Sequence, residues 1–311
     1  MKAGALRSRV VVFGSLNMDL VARVPRMPEP GETLAGHGFL ANPGGKGANQ
    51  AVACARQGAK VEMVGRVGDD GFADALRASL AAQGVGAEGV TRVQGQATGV
   101  AMIMVDDLAQ NAIAVIAGAN AAVDEHDAQA LRPRLQASAM LLLQLEVPMP
   151  AVLRAAAVAR EVGCQVLLNP APAHALPDAL WPLIDILVVN ETEARLLTGL
   201  PSVTPENAAA AADLLLRRGP REVIVTLGEH GVLCACAEGA QLYEAVRVRP
   251  VDTTAAGDTF IGALAAMLVE GRRMPDAVRH AMKAAAICVT RPGAQASMPS
   301  RAEVEAMSSP P

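Results

Sequence analysis

The stretch Asp252-Thr253-Thr254-Ala255-Ala256-Gly257-Asp258 sets a carboxylate beside a run of small residues. It lies between a strand-like segment at 241–248 and a helical pattern with apolar Ile261, Leu264 and Leu268. Small residues let the main chain approach a ligand, and the unpaired N–H groups of the following helix point back at the turn. The amides of Ala256, Gly257 and Asp258, with Ala255 in the turn, are expected to form an anion hole. Asp258 at its edge can take a proton from an attacking hydroxyl. A base beside an anion hole fits phosphoryl transfer. A plain tight turn with an Asp near a helix start would leave the same letters.

Other polar groups fall where strands end. The apolar run at 10–14 reads as a buried parallel strand stopping at Gly14-Ser15-Leu16-Asn17-Met18-Asp19. Asn17 and Asp19 face one side of an extended chain and can grip a polar substrate; an Asx turn is the alternative. Asn42-Pro43-Gly44-Gly45-Lys46-Gly47-Ala48-Asn49-Gln50 runs into a helix, with Lys46 and Asn49 as donors. It is not a Walker A loop, because Gly47 follows the lysine where Ser or Thr is needed. Glu146 ends an apolar strand at 140–145, a costly place for a carboxylate without a partner. Asn190-Glu191-Thr192-Glu193 opens a helix. Glu191 there complements the helix dipole, whereas Glu193 can order a hydrated magnesium ion that bridges phosphates. Gln144, Asn169 and the segment Thr226-Leu227-Gly228-Glu229-His230-Gly231 also sit at strand ends. Gly84-Val85-Gly86-Ala87-Glu88-Gly89 spells G-x-G-x-x-G but follows a helix pattern at 71–83, so it reads as a helix end and loop.

The elements that must hold these groups alternate from residue 124 onward. Helices are expected at 124–137, 150–162 and 204–218, and strands at 140–145, 164–168, 184–189 and 222–227. That alternation implies an α/β fold of three layers: a mostly parallel central sheet covered by helices on both faces. Weak strands at 20–24, 33–40, 98–105 and 112–116 are placed in a small separate β-sheet lid, with a hairpin signal at 106–111. A single domain over 10–300 follows, with lid strands from roughly 20–40 and 98–117 and tails at 1–9 and 301–311.

The 311 residues are 51% hydrophobic but only 2% aromatic, so Ala, Val, Leu and Met must pack the core. A net charge of -4 without a basic run argues against nucleic acid as a partner. No segment has the length of a membrane span or a secretion signal, and a cytoplasmic protein is expected. The five cysteines lack CxxC spacing and read as reduced core thiols, and the five histidines share no ligand spacing.

As a set, Gly14-Ser15-Leu16-Asn17-Met18-Asp19, Gly44-Gly45-Lys46-Gly47-Ala48-Asn49, Asn190-Glu191-Thr192-Glu193 and the 252–258 stretch resemble the carbohydrate kinases of the ribokinase family. The similarity runs from about 10 to 299 and includes Asn169-Pro170-Ala171-Pro172-Ala173 and Arg291-Pro292-Gly293-Ala294-Gln295. The resemblance implies D-ribose and ATP as substrates, with Asn17, Asp19, Gly45, Lys46, Asn49 and Glu146 contacting the sugar. Asp258 would deprotonate the 5-hydroxyl for attack on the γ-phosphate. Asn190, Glu193, residues 226–231, Gly257 and Met282 would flank ATP and its Mg2+. Asp252, Thr254, Cys288, Arg291, Gly293 and Ser297 would hold a monovalent cation, K+, largely through carbonyls, so that the Cys288 thiol need not matter. Met282 replaces a His that can lie against adenine, and Thr254 a common Ile, so altered nucleotide affinity is expected. A homodimer through the lid is a further implication. A kinase of deoxyribose, a ketose or a nucleoside, or a sugar-binding regulator without catalysis, remain the alternatives.

Overall fold

A computed structural model describes residues 9–108 and 110–307. In chain order its strands are β1 (Arg9–Phe13), β2 (Asn17–Val24), β3 (Gly38–Gly44), β4 (Lys60–Val67), β5 (Val85–Arg92), β6 (Gly99–Asp106), β7 (Asn111–Ile116), β8 (Met140–Leu143), β9 (Gln165–Leu168), β10 (Ile186–Asn190), β11 (Glu222–Thr226), β12 (Val232–Cys236) and β13 (Gly239–Tyr243). The helices are α1 (Lys46–Arg56), α2 (Gly71–Ala82), α3 (Glu125–Gln129), α4 (Arg132–Gln136), α5 (Met149–Val162), α6 (Glu191–Thr198), α7 (Ala208–Leu216), α8 (Ala256–Val269), α9 (Met274–Cys288) and α10 (Arg301–Ala306).

Nine strands form one sheet in the order β13-β12-β11-β10-β9-β8-β1-β4-β5, parallel except for the β12 and β13 edge. Alternate side chains of β1 enter different cores: Val10 and Val12 face the layer of α1, α2, α8 and α9, whereas Val11 and Phe13 face that of α3 to α7. Both faces are covered, which is why the central strands are apolar throughout. From β1 the chain leaves one way to β4 and β5 and returns the other way to β8 and beyond. Loops at the carboxyl ends of β1 and β8 therefore part at a switch point, where open α/β sheets leave a crevice.

The expected lid is present as a second sheet in the order β3-β2-β6-β7. Its register sets Leu40, Val21, Ile103 and Ile113 in one row across all four strands. Leu40 and Ile113 are both more than half exposed.

Four readings are corrected. Residues 84–89 are not a loop: Val85 and Val90 are buried and pair with β4 as the edge strand β5. The helix expected over 124–137 divides into α3 and α4, because Pro133 in the first turn of α4 cannot extend the ladder of the preceding turns. The strand at 241–248 ends at Tyr243, and irregular chain leads to Asp252. Residues 301–306 form α10, capped by Ser300 and Glu303 and anchored by buried Val304. The remainder of the two tails, 1–8 and 308–311, lies outside the described residues. Among the described residues no helix is long and apolar enough to cross a membrane, and all five cysteines are free.

Candidate active site

Helices α1 and α8 bring Asp258 to its neighbours. Asp258 and Gly262 share one face of α8. A Cβ on Gly262 would lie 2.5 Å from the Ala53 side chain and 2.6 Å from Cys54 N, so only glycine lets the helices pack this closely. One turn earlier the buried Asp258 carboxylate meets α1: Asn49 Nδ2 donates to Oδ2 at 3.2 Å and Gln50 Nε2 to Oδ1 at 3.0 Å. Burial lifts the Asp258 carboxyl above its ordinary value, while Lys46, Gln50 and Asn49 pull the other way. The half-buried Lys46 amine is in turn held above its ordinary value: desolvation opposes its charge, but Asp258, Glu146 and Glu193 outweigh it.

The start of α8 has the form expected of an anion hole, with one change. Ala255 stands before the helix at φ 60, and it is the one described non-glycine residue with positive φ. Such strain persists only where surrounding contacts enforce it. The Ala256 N–H is engaged by Thr253 O at 3.3 Å, whereas among the described residues the Gly257 and Asp258 N–H groups have no acceptor. The N–H groups open at the start of α8 are therefore those of Gly257 and Asp258. It opens on a cavity of about 230 Å³ lined by Lys46, Asn190, Glu193, Thr226, Gly257 and Asp258.

On the other side of Asp258 lie the predicted sugar contacts. Asn17 and Asp19 sit on β2, and the next strand must leave room for them. A Cβ on Gly44 would fall 2.1 Å from the Asp19 carboxylate. Gly45, at φ 87, starts α1 against Leu16 and Asn17. Glu146 Oε2 accepts from Ser15 Oγ at 2.6 Å and from the Lys46 N–H at 3.1 Å, so its carboxylate sits at the N-terminus of α1. Burial, with Glu146 and Asp258 nearby, pushes the Asp19 carboxyl up to about 7.

Glu193 is both the cap and the cavity wall. It closes a reciprocal capping box with Asn190 and also accepts from Asn169 Nδ2 at 3.3 Å. Burial raises the Glu193 carboxyl against the pull of Asn190, Lys46 and Asn169.

The six residues expected to hold a cation converge in one cluster. Asp252 accepts from the Thr254 and Gly293 N–H groups at 2.9 and 2.8 Å. The buried Cys288 thiol lies 3.0 Å from Ser297 Oγ and accepts from Thr259 Oγ1 at 3.2 Å, so this side chain takes part in the packing of the cluster. Arg291 joins through its N–H to Cys288 O, and its guanidinium turns outward to Glu303.

The nucleotide set is only partly assembled. Thr226 lines the cavity. Leu227 is core, Gly228, Glu229 and His230 form an exposed turn, and Gly231 bonds back to Leu227. Met282 is buried in the α8–α9 layer away from the cavity lining.

Residues 7–301 match the family model described as pfkB family carbohydrate kinase. The chain belongs to the pfkB family of carbohydrate kinases. It is a phosphotransferase acting on an alcohol group, as the motifs led one to expect. A ribokinase of Haemophilus influenzae is 40% identical over 298 residues, 96% of this chain and 97% of the relative. A deoxyribokinase of Salmonella typhi is 39% identical over 292 residues, 94% and 95% of the two chains. The structure of Arabidopsis thaliana ribokinase complexed with ribose and ATP superposes with TM-score 0.89 at 33% identity, covering 96% of this chain and 97% of that one. The expected three-layer fold with its small second sheet is thus that of the solved Arabidopsis ribokinase.

Three residues of this pfkB site escaped the motif reading. Asn120 follows β7 and is buried; it accepts from Leu16 N at 2.9 Å and donates to Asn17 Oδ1 at 2.8 Å. That bond fixes the Asn17 amide with its oxygen toward Asn120. Gln295 donates to Asn49 Oδ1 at 3.1 Å and so turns the Asn49 NH2 onto Asp258. Gln50 was only the last letter of a glycine-rich stretch. A lone amide carries no sequence signal until its helix face is known.

Proposed function

We propose that this protein transfers the γ-phosphoryl group of ATP to the 5-hydroxyl of D-ribose. The observation that carries the reading is the buried Asp258 carboxylate, lying between polar groups suited to a sugar and two N–H groups free for a phosphoryl oxygen. Asn17, Asp19, Gly45, Lys46, Asn49 and Glu146 hold the sugar with its primary hydroxyl at Asp258. Asp258 takes the proton as that oxygen attacks in line, and the Gly257 and Asp258 amides hold the charge of the phosphoryl group in transit. Lys46, next to Asp258, Glu146 and Glu193, spans the sugar and phosphate sides.

Asn190, Glu193, Thr226 and the turn through Gly231 flank the nucleotide. The Glu193 carboxylate already accepts three N–H bonds, two from Asn190 and one from Asn169, which suits it to hold Mg2+ through water rather than directly. Bound Mg2+ supplies charge neutralisation between the phosphates. The Asp252 cluster offers one carboxylate charge and neighbouring carbonyls beside the α8 loop, a donor set that suits K+ and would steady the anion hole. An ATP-consuming reaction fits the cytoplasm.

The Salmonella typhi relative favours one second reading, 2-deoxyribose as acceptor. A site that hydrogen-bonds the 2-hydroxyl penalises the deoxy sugar, because its own polar groups are left unpaired. ADP release measured across ribose, deoxyribose, ketoses and nucleosides, each in KCl and NaCl, separates these readings. We expect the highest kcat/KM with ribose and faster turnover in KCl. Ribose binding without ADP release would leave a silent regulator, and equal rates in the two salts would remove the cation site.

The apolar row Leu40, Val21, Ile103 and Ile113 supports a homodimer through the lid, since its face also carries Asp19, two residues along β2. Light scattering is expected to give twice the chain mass, and Leu40→Glu with Ile113→Glu to give monomers. A wild-type monomer at working concentration would overturn it.

A further inference from the structure

Behind Asp258 runs a chain of buried carboxamides. Gln50 Nε2 donates to Asp258 Oδ1 at 3.0 Å and to Asn169 Oδ1 at 3.3 Å, and Gln50 Oε1 accepts from Gln144 Nε2 at 2.7 Å. Asn169 Nδ2 donates to Val188 O at 3.1 Å and to Glu193 Oε2 at 3.3 Å. Gln50 and Gln144 are fully buried, and Asn169 nearly so.

The direction of every amide follows from the two ends. The Val188 carbonyl can only accept, so Asn169 must turn its NH2 to Val188, and with it to Glu193, and its oxygen to Gln50. That oxygen requires a donor, so Gln50 must present its NH2, and the same NH2 faces Asp258. Gln144 then donates to the oxygen left at the far side of Gln50. Turning Gln50 over would set its oxygen against both Asn169 Oδ1 and the Asp258 carboxylate. Among the described residues Gln144 Oε1 has no hydrogen-bond partner, an unusual state for a buried acceptor. Its orientation satisfies Gln50 at the expense of its own acceptor.

We propose that Gln50 is a positioning residue for Asp258: aligned by Asn169 and Gln144, it fixes the carboxylate at Oδ1 and ties it to the Glu193 wall of the cavity. Asn49, aligned by Gln295, holds Oδ2 in the same way. The base therefore meets the sugar hydroxyl in one fixed orientation, which is worth most when the reacting atoms must align. This inference rests on the reading of Asp258 as base.

Gln50→Met keeps the length of the side chain and removes its bonds to Asp258 and Asn169. It is expected to lower kcat about 30-fold with the KM for ribose and for ATP within about 3-fold, because a misaligned base costs turnover more than binding. Asn169→Leu is expected to lower kcat as well. The double variant should fall no more than about 3-fold below the worse single one, since both act through one orientation. Gln50→Glu, of the same shape but with an oxygen facing Asp258, is the second variant should Gln50→Met not fold, and it should lose at least as much kcat. A folded Gln50→Met or Gln50→Glu with kcat within about 2-fold of the parent, a loss confined to KM, or additive losses in the double variant would overturn the proposal. Asp258→Asn measured alongside separates the two failures. An active Asp258→Asn removes the base itself, whereas an inactive one beside a fully active Gln50→Met removes only the positioning role.

Discussion

Asp258→Asn is expected to cut turnover by about 10³-fold or more while ribose binds within about 3-fold of the parent. The amide has the size of the carboxylate but cannot take a proton from the attacking hydroxyl. What remains is positioning and the N–H groups at the start of α8, so residual transfer should persist. Sugar binding is expected to survive because most of the proposed sugar contacts, including Asn17, Asp19, Lys46 and Glu146, stay in place, and Lys46 keeps Glu146 and Glu193 as partners. The substitution has a structural cost. Asn49 and Gln50 both donate to Asp258, and an asparagine there must set its own NH2 against one of them. A buried mismatch of that kind costs about 1–3 kcal/mol, so melting temperature belongs in the same experiment. Steady-state ADP release and calorimetric titration with ribose read the two expectations separately. Turnover within about 10-fold of the parent in a folded variant would take the base role from Asp258.

How far the sequence carried depended on whether chemistry left its mark locally. The parallel sheet was legible because β8, β9, β10 and β11 are short, largely apolar runs, the first two followed at once by Gln144 and Asn169 and the last two closed by Asn190 and Thr226. Asn17, Lys46, Glu193 and Asp258 stood out because a costly group followed an apolar strand or a run of small residues. Gly84-Val85-Gly86-Ala87-Glu88-Gly89 misled because its glycines hid an edge strand whose burial comes from pairing with β4, which the local pattern does not encode. Gln50, Asn120, Gln144 and Gln295 carry meaning through partners 94 to 246 residues away, and no local pattern encodes such a pairing. That Thr253 O engages the Ala256 amide is invisible in the sequence for a similar reason, since only the turn geometry shows it.

Asp19 should make sugar affinity depend on pH within the physiological range. Its ordinary value is 3.8, and burial with Glu146 and Asp258 nearby moves it to about 7. Below that value the side chain is a neutral acid with one proton to place; above it, both oxygens accept from sugar hydroxyls, and each such charged bond is stronger than a neutral one. Ribose affinity is therefore expected to rise about 10-fold from pH 6 to pH 8, as the ionised fraction grows through a single titration. Asp19→Asn should bind ribose about 100-fold more weakly at pH 8 and show little of that dependence. The sign for folding is opposite. A carboxyl whose folded value lies above its unfolded one favours the fold most below pH 3.8, and that contribution is lost as pH rises through about 7. Sugar hydroxyls that bind the ionised form offset the loss, so ribose should raise the melting temperature more at pH 8 than at pH 6. Titrations without ATP keep phosphate ionisation out of the measurement, leaving Lys46, Glu146, Glu193 and Asp258 as the other charges in the site. Equal affinity at both pH values in the parent, or the same slope in Asp19→Asn, would show that another group governs sugar binding.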